Sequence, residues 1–215
     1  MRRITDYRDI EAGLDALSAA DDRLKAVRAK VEAVRPVPLR LDRPGFAPLV
    51  EIICTQQISR ASAAAIHARL VRAVDPLTPE SLAAMSEETA RAVGLSRPKE
   101  RTMREVARAT IEGTLDPVGC CALPAEDAIA HIAAVRGLGP WTAGVYLLFC
   151  GGHPDIFPTG DVALQWSAAA MLGQDEIVAA RALDEMARAW SPWRGVAARL
   201  LWAHYAVLKG REVIP

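Results

Sequence analysis

Apolar residues recur three and four positions apart along nearly the whole chain, and β-branched runs are scarce, so the sequence reads as almost entirely helical. The pattern predicts helices over residues 7–19, 21–34, 48–74, 79–93, 97–112, 125–135, 140–149, 161–171, 175–189 and 193–209. Between the second and third of these, Arg35-Pro36-Val37-Pro38-Leu39-Arg40-Leu41-Asp42-Arg43-Pro44-Gly45 is a connector, because its prolines exclude continuous helix. No internal repeat or low-complexity tract interrupts the pattern. In the third helix Leu49, Ile52, Ile53, Gln56 and Arg60 fall on one stripe, which puts a glutamine on a face that starts apolar. A glutamine there is either a core residue bonded to backbone or a residue with a polar task.

The segment from Val135 to Asp161 departs from plain amphipathic helix. Ile129, Ile132 and Ala133 mark an apolar face before a glycine pair, and Val145, Leu148 and Phe149 mark another after it, so the pattern is helix, tight turn, helix. Gly137 and Gly139 sit in the turn, where they allow positive φ and remove side chains that would hold a ligand away. Pro140 suits the first turn of the second helix, whose free N–H groups point at the turn. Such a turn can hold an anion, although many helix pairs turn on glycine only to save space. Further on, Pro158-Thr159-Gly160-Asp161 opens an apolar helical segment in which Val162, Gln165, Trp166 and Ala169 share a face. Asp161 is therefore an N-cap candidate, and since a helix N-terminus favours an ionised carboxylate, capping is compatible with a chemical role.

Arg136-Gly137-Leu138-Gly139-Pro140-Trp141-Thr142-Ala143 with the trailing Pro-x-x-Asp resembles the helix-hairpin-helix DNA glycosylases, in particular their AlkA-type 3-methyladenine DNA glycosylase II branch. Three further segments match in order. Leu49 through Ser59, with Gln56-Gln57-Ile58, is similar to the family's early helix. Gly94-Leu95-Ser96-Arg97-Pro98-Lys99 is similar to its mid-chain turn, and Pro192-Trp193-Arg194 with Leu201-Trp202 to its closing helices. The resemblance runs over residues 45–210.

It implies an all-α, two-lobed fold with an interlobe active-site cleft, residues 1–215 forming a single glycosylase module. Residues 45–155, with the hairpin 129–149, would form the central lobe; residues 1–40 and 160–215 would form the other, with the hairpin and Asp161 at the mouth of the cleft. The extra mixed N-terminal domain of longer AlkA-type enzymes has no room here. The implied reaction is hydrolysis of the N-glycosidic bond of alkylated bases, such as 3-methyladenine or 7-methylguanine, in damaged duplex DNA during base-excision repair. Positive charge builds on the sugar as that bond breaks, so Asp161, as the catalytic carboxylate, would stabilise it and activate water. Family members that also cut the strand carry a nucleophilic lysine two residues after the second hairpin glycine. Trp141 stands there, which implies no lyase activity. Its ring either packs at the lobe junction or stacks on the extruded base, where a cationic purine would add about 0.5–2 kcal/mol of cation–π attraction.

The Gln56-Gln57-Ile58 region approaches the lesion in the family, and Gln57 or Ile58 would fill the gap left by the flipped nucleotide. The hairpin backbone at Gly137 and Gly139 would grip phosphate. Arg97 and Lys99 flank Pro98 at a helix start, where phosphate contact and structural capping both fit. For Arg194 a structural ion pair comes first and DNA contact second. The carbonyls of Ala133, Val135 and Leu138 would bind a structural Na⁺ or K⁺.

At 215 residues the chain can bury a substantial core. Its 26 basic and 26 acidic side chains give no general attraction to nucleic acid. Their distribution does more: residues 91–112 and 189–215 are net basic and residues 113–188 net acidic, so a DNA-facing surface would be local. Cys54, Cys120, Cys121 and Cys150 form no CxxC pair and follow no secretory signal, which fits free thiols in a reducing cytoplasm, nucleoid-associated in a bacterium. Relatives with an iron–sulfur cluster carry four closely spaced cysteines near the C-terminus, whereas the last here is Cys150, so no cluster is expected. His67, His131, His153 and His204 share no metal-ligand spacing. No apolar run is long enough to span a membrane. A monomer acting on damaged double-stranded DNA is expected. Two other readings stay open: a non-catalytic helix-hairpin-helix DNA-binding repair module, which has no need of Asp161, and a glycosylase for other damaged or mismatched bases.

Overall fold

Alanine-rich, leucine-rich segments, several of them opened by Ser, Thr and Asp caps, fold as helices. A computed structural model describes residues 3–210, and no strand occurs among them. The helices are α1 (Tyr7–Ala20), α2 (Asp22–Glu32), α3 (Phe46–Thr55), α4 (Arg60–Ala73), α5 (Pro79–Ala83) and α6 (Glu87–Val93), followed by α7 (Arg97–Ile111), α8 (Ala125–Ala133), α9 (Pro140–Phe149), α10 (Val162–Leu172), α11 (Ala180–Ala187) and α12 (Arg194–Lys209). Short 3₁₀ turns lie at Gly119–Ala122 and Arg188–Trp190.

Three of the expected helices differ from those found. The one expected over residues 48–74 is two, α3 and α4: Gln56 leaves the helix at φ −55°, ψ 124°, Gln57 has φ 58°, and the Ser59 hydroxyl starts α4 by accepting from Ser62 N at 3.2 Å. Gln56 and Arg60 therefore do not continue the α3 stripe. The helix expected over 79–93 is also two, because the Ser86 hydroxyl accepts from Thr89 N at 3.0 Å and begins α6 afresh. The helix expected over 175–189 starts at Ala180; Val178 before it is buried and its N–H reaches the Gln165 carbonyl of α10.

The chain divides into two compact units, residues 42–151 and residues 1–41 with 152–215. In the first, α9 is the central element, with every residue from Thr142 to Phe149 buried. Against it and α7 lies the apolar α3, burying Leu49, Val50, Ile52 and Ile53, each such side chain contributing about 1.5–3 kcal/mol. The Tyr146 hydroxyl anchors two loops: it donates to the Pro117 carbonyl at 2.6 Å and accepts from Gly45 N at 2.8 Å. In the second unit α12 is the spine, burying Val196, Ala197, Leu200, Leu201, Trp202 and Ala203 against α1, α2 and α10. Gly13 of α1 is required by that packing, since a Cβ there would lie 2.7 Å from Val196 Cγ2. No helix among the described residues is long and apolar enough to cross a membrane.

Candidate functional site

The hairpin lies in the unit of residues 42–151. α8 ends at Ala133, the turn is closed by Leu138 N donating to the Val135 carbonyl at 3.0 Å, and α9 starts at Pro140. The two turn glycines are held for different reasons. Gly137 has φ +93°, and a Cβ on it would lie 2.1 Å from the Thr102 hydroxyl, so both backbone conformation and packing against α7 demand glycine. Gly139 has φ −103°, ψ 174°, which any residue adopts, and a Cβ would meet nothing within 4 Å. The fold leaves Gly139 open for an outside group to approach the backbone. Trp141, in the first turn of α9, is half-buried.

The turn between α3 and α4 lies in the same unit. The Gln56 amide donates to the Thr142 hydroxyl of α9 at 2.9 Å, so its partner is a side chain and not the backbone of a core. Gln57 and Ile58 are exposed, Ile58 at 39%, and Gln57 is held at φ 58°. A non-glycine residue in that conformation costs about 1–2 kcal/mol and points to a function for the turn. Arg97 is exposed at the start of α7. Lys99 is not a surface cation as phosphate contact would need: it is 8% exposed, and its ammonium donates to the Cys54 carbonyl at 2.7 Å, capping α3 from α7. Burial lowers the Lys99 pKa from the ordinary lysine value and pushes the neighbouring Cys54 thiol up to about 11.

Asp161 belongs to the other unit and is the N-cap of α10. Its Oδ1 accepts from Ala163 N at 2.9 Å, from Leu164 N at 3.1 Å and from the Trp202 indole N–H at 3.1 Å. The carboxylate, 8% exposed, is thus fixed by a helix end and by a fully buried ring on α12. The start of α12 is fixed in turn by Arg194, which pairs with Asp155 through two bonds, Nε to Oδ1 at 2.8 Å and a terminal nitrogen to Oδ2 at 3.0 Å. Arg194 is a structural ion-pair partner. Burial opposes ionisation of Asp155, but the bonds from Arg194 and Ser191 outweigh it and lower its pKa.

Sequence reasoning missed Trp202, Thr142 and Thr102 as functional candidates. Thr142 and Trp202 stand in segments that match the family and Thr102 in a plain helical pattern, but only a partner distant in sequence gives each its task. Among the described residues no group of His, Cys, Asp and Glu is arranged to hold a metal ion. That does not bear on carbonyl ligands.

The sequence pattern of the HhH-GPD superfamily base excision DNA repair proteins matches residues 50–194. The chain belongs to that superfamily. A DNA-3-methyladenine glycosidase from Bacillus halodurans has the same fold, with TM-score 0.77 and 30% identity over 92% of this chain and 91% of that one. The Schizosaccharomyces pombe 3-methyladenine DNA glycosylase Mag1, solved with abasic DNA, superposes with TM-score 0.81 over 89% of this chain and 95% of that one at 24% identity. In sequence, the chain is 32% identical over 213 residues to a Mycobacterium tuberculosis protein named "Probable bifunctional transcriptional activator/DNA repair enzyme AlkA", a match covering 94% of this chain and 41% of that protein. A Bacillus subtilis relative, 27% identical over 173 residues, is also longer: the match covers 77% of this chain and 60% of that protein. The hairpin, the α3–α4 turn and Asp161 all fall inside the matched HhH-GPD region.

Proposed function

We propose that the protein is a monofunctional DNA glycosylase of base-excision repair, releasing alkylated bases of the 3-methyladenine and 7-methylguanine type from duplex DNA. The observation that carries this reading is the Asp161 carboxylate, held by three donors at the N-terminus of α10 in a member of this superfamily. In the reaction the bond between C1′ of the sugar and the base breaks with its electron pair leaving on the base, whose positive charge is thereby neutralised. No acid is needed on such a leaving group. Water adds to C1′ and gives up a proton, for which the Asp161 carboxylate is the acceptor; until then the same carboxylate stabilises the cationic sugar.

The other residues serve substrate binding. The open backbone at Gly139 receives a phosphate, Arg97 adds a cation at the start of α7, Trp141 offers an aromatic face to the flipped base, and Gln57 and Ile58 enter the gap it leaves. The Val135 carbonyl accepts one bond, from Leu138 N, and keeps a second lone pair. With the carbonyls of Ala133 and Leu138 it suits a structural Na⁺ or K⁺, which would add positive charge where the hairpin meets phosphate.

Mass spectrometry of the bases freed from methylated duplex DNA tests the reading. Release of 3-methyladenine and 7-methylguanine is expected; damage-independent DNA binding with no free base would instead favour an architectural module. With Trp141 at the nucleophile's position, the DNA strand stays intact after base release until heat or alkali is applied. Strand scission without either treatment refutes the hydrolysis-only assignment. Trp202→Phe removes the indole donor to Asp161 while keeping an aromatic ring. Losing one bond to a charged group costs about 1.5–3 kcal/mol, so kcat is expected to fall about ten- to a hundredfold. KM is expected to hold, since Trp202 acts through Asp161; an unchanged kcat would remove the positioning role.

A further inference from the structure

The turn that carries Gln57 and Ile58 is braced from two helices, each through a side-chain contact distant in sequence. From α7, Lys99 extends its ammonium to the Cys54 carbonyl at 2.7 Å, across 45 residues of sequence. From α9, the Thr142 hydroxyl accepts from the Gln56 amide at 2.9 Å, across 86 residues. The braces grip Cys54, at the end of α3, and Gln56, the residue before Gln57, which is the one described non-glycine residue besides Arg40 with positive φ. A lysine 8% exposed with a carbonyl as its bonded partner is costly to keep, since burial disfavours the ammonium. α7 and α9 also carry the hairpin: Thr102, one turn along α7 from Lys99, is the residue against which Gly137 packs, and Thr142 stands in the first turn of α9. The same two helices therefore hold both the phosphate-binding turn and the α3–α4 turn.

We propose that Lys99 and Thr142 are positioning residues that lock the Gln57–Ile58 turn, at a fixed distance from the hairpin, in the conformation that enters the DNA duplex. This rests on the reading of Gln57 and Ile58 as the gap-filling pair. Entry into a duplex is an insertion against base stacking, so a turn free to relax its strained residue loses force at that step. A single strand offers no stacked gap to fill, and the braces are not needed there.

The test compares base release from a methylated duplex and from the same methylated strand unpaired, using Lys99→Met, which keeps the aliphatic stem, and Thr142→Val, which keeps the shape. Each variant is expected to lose about tenfold or more on the duplex and to stay within about twofold on the single strand, the difference being the step that opens the stack. Lys99→Gln, which retains a donor, is expected to recover part of the loss. Equal losses on both substrates would show a merely structural role and overturn the proposal, as would an unchanged duplex rate. If Lys99→Met fails to fold, Thr142→Val and Lys99→Gln decide by the same comparison. The double variant Gln57→Ala, Ile58→Ala separates the two levels. If it loses duplex activity while the brace variants do not, the bracing falls and the gap-filling pair stands; if its duplex rate is unchanged, the gap-filling reading falls and takes this inference with it.

Discussion

Asp161→Asn is expected to release alkylated bases from duplex DNA several hundred- to a thousandfold more slowly than the wild type while folding almost as well, the scale set by loss of one preorganised electrostatic group. The separation follows from the geometry. Asp161 Oδ1 accepts from Ala163 N, Leu164 N and the Trp202 indole, and an asparagine carbonyl in the same place can accept from all three. Asparagine is as good an N-cap as aspartate, so the start of α10 keeps its hydrogen bonds and loses only the attraction of a charge to the helix dipole, about 0.3–1 kcal/mol. On the proposed mechanism the reaction loses the negative charge facing the cationic sugar and the acceptor for the water proton. Rates from methylated duplex DNA, read beside thermal melting of both proteins, check this. Base release at the wild-type rate would remove Asp161 from the mechanism, and Asp161→Ala, which deletes cap and charge together, should add instability to the same catalytic loss.

What could be read from the sequence depends on neighbours in the chain, although the local caps at Ser59 and Ser86 were hidden by apolar spacing that runs on through them. The cap at Asp161 was legible because its two backbone donors lie two and three residues on, and the hairpin because its glycines fall between two apolar faces. The break after Thr55 was not. Leu49, Ile52, Ile53, Gln56 and Arg60 keep helical spacing straight through it, which masks the local Ser59 cap of α4, and the other contacts at the break are distant: Lys99 on Cys54, and Thr142 on Gln56. The same limit hid Trp202, whose place in the apolar pattern of α12 is ordinary and whose bond to Asp161 spans 41 residues. Lys99 shows it most directly. Its position beside Pro98 at a helix start fits a phosphate contact as well as a cap, and only burial against the end of another helix decides between them.

The two hairpin glycines look alike in sequence, and the structure predicts opposite consequences for them. Gly137→Ala is expected to destabilise the unit of residues 42–151 by about 2–5 kcal/mol, the sum of a left-handed backbone for a residue with Cβ and an overpacked contact. The new Cβ would sit 2.1 Å from Thr102 Oγ1 and 2.9 Å from its Cβ and Cγ2, so α7 or the turn has to move. Gly139→Ala is expected to leave stability within about 0.5 kcal/mol, because its backbone is extended and the space beyond its Cα is open. On the proposed reading that open space is where a phosphate approaches the hairpin backbone, and a methyl group placed there holds it off. Affinity for a duplex carrying an abasic site should therefore fall by about tenfold or more, the loss of a hydrogen bond or two to a charged group. Melting curves and binding isotherms on the two single variants make the test complete. Gly139→Ala that binds as tightly as the wild type would show that the turn does not grip DNA through its backbone, whereas a stable Gly137→Ala would show that Thr102 and the positive φ do not constrain the turn. If both expectations hold, Gly137 is glycine for the fold and Gly139 for the ligand.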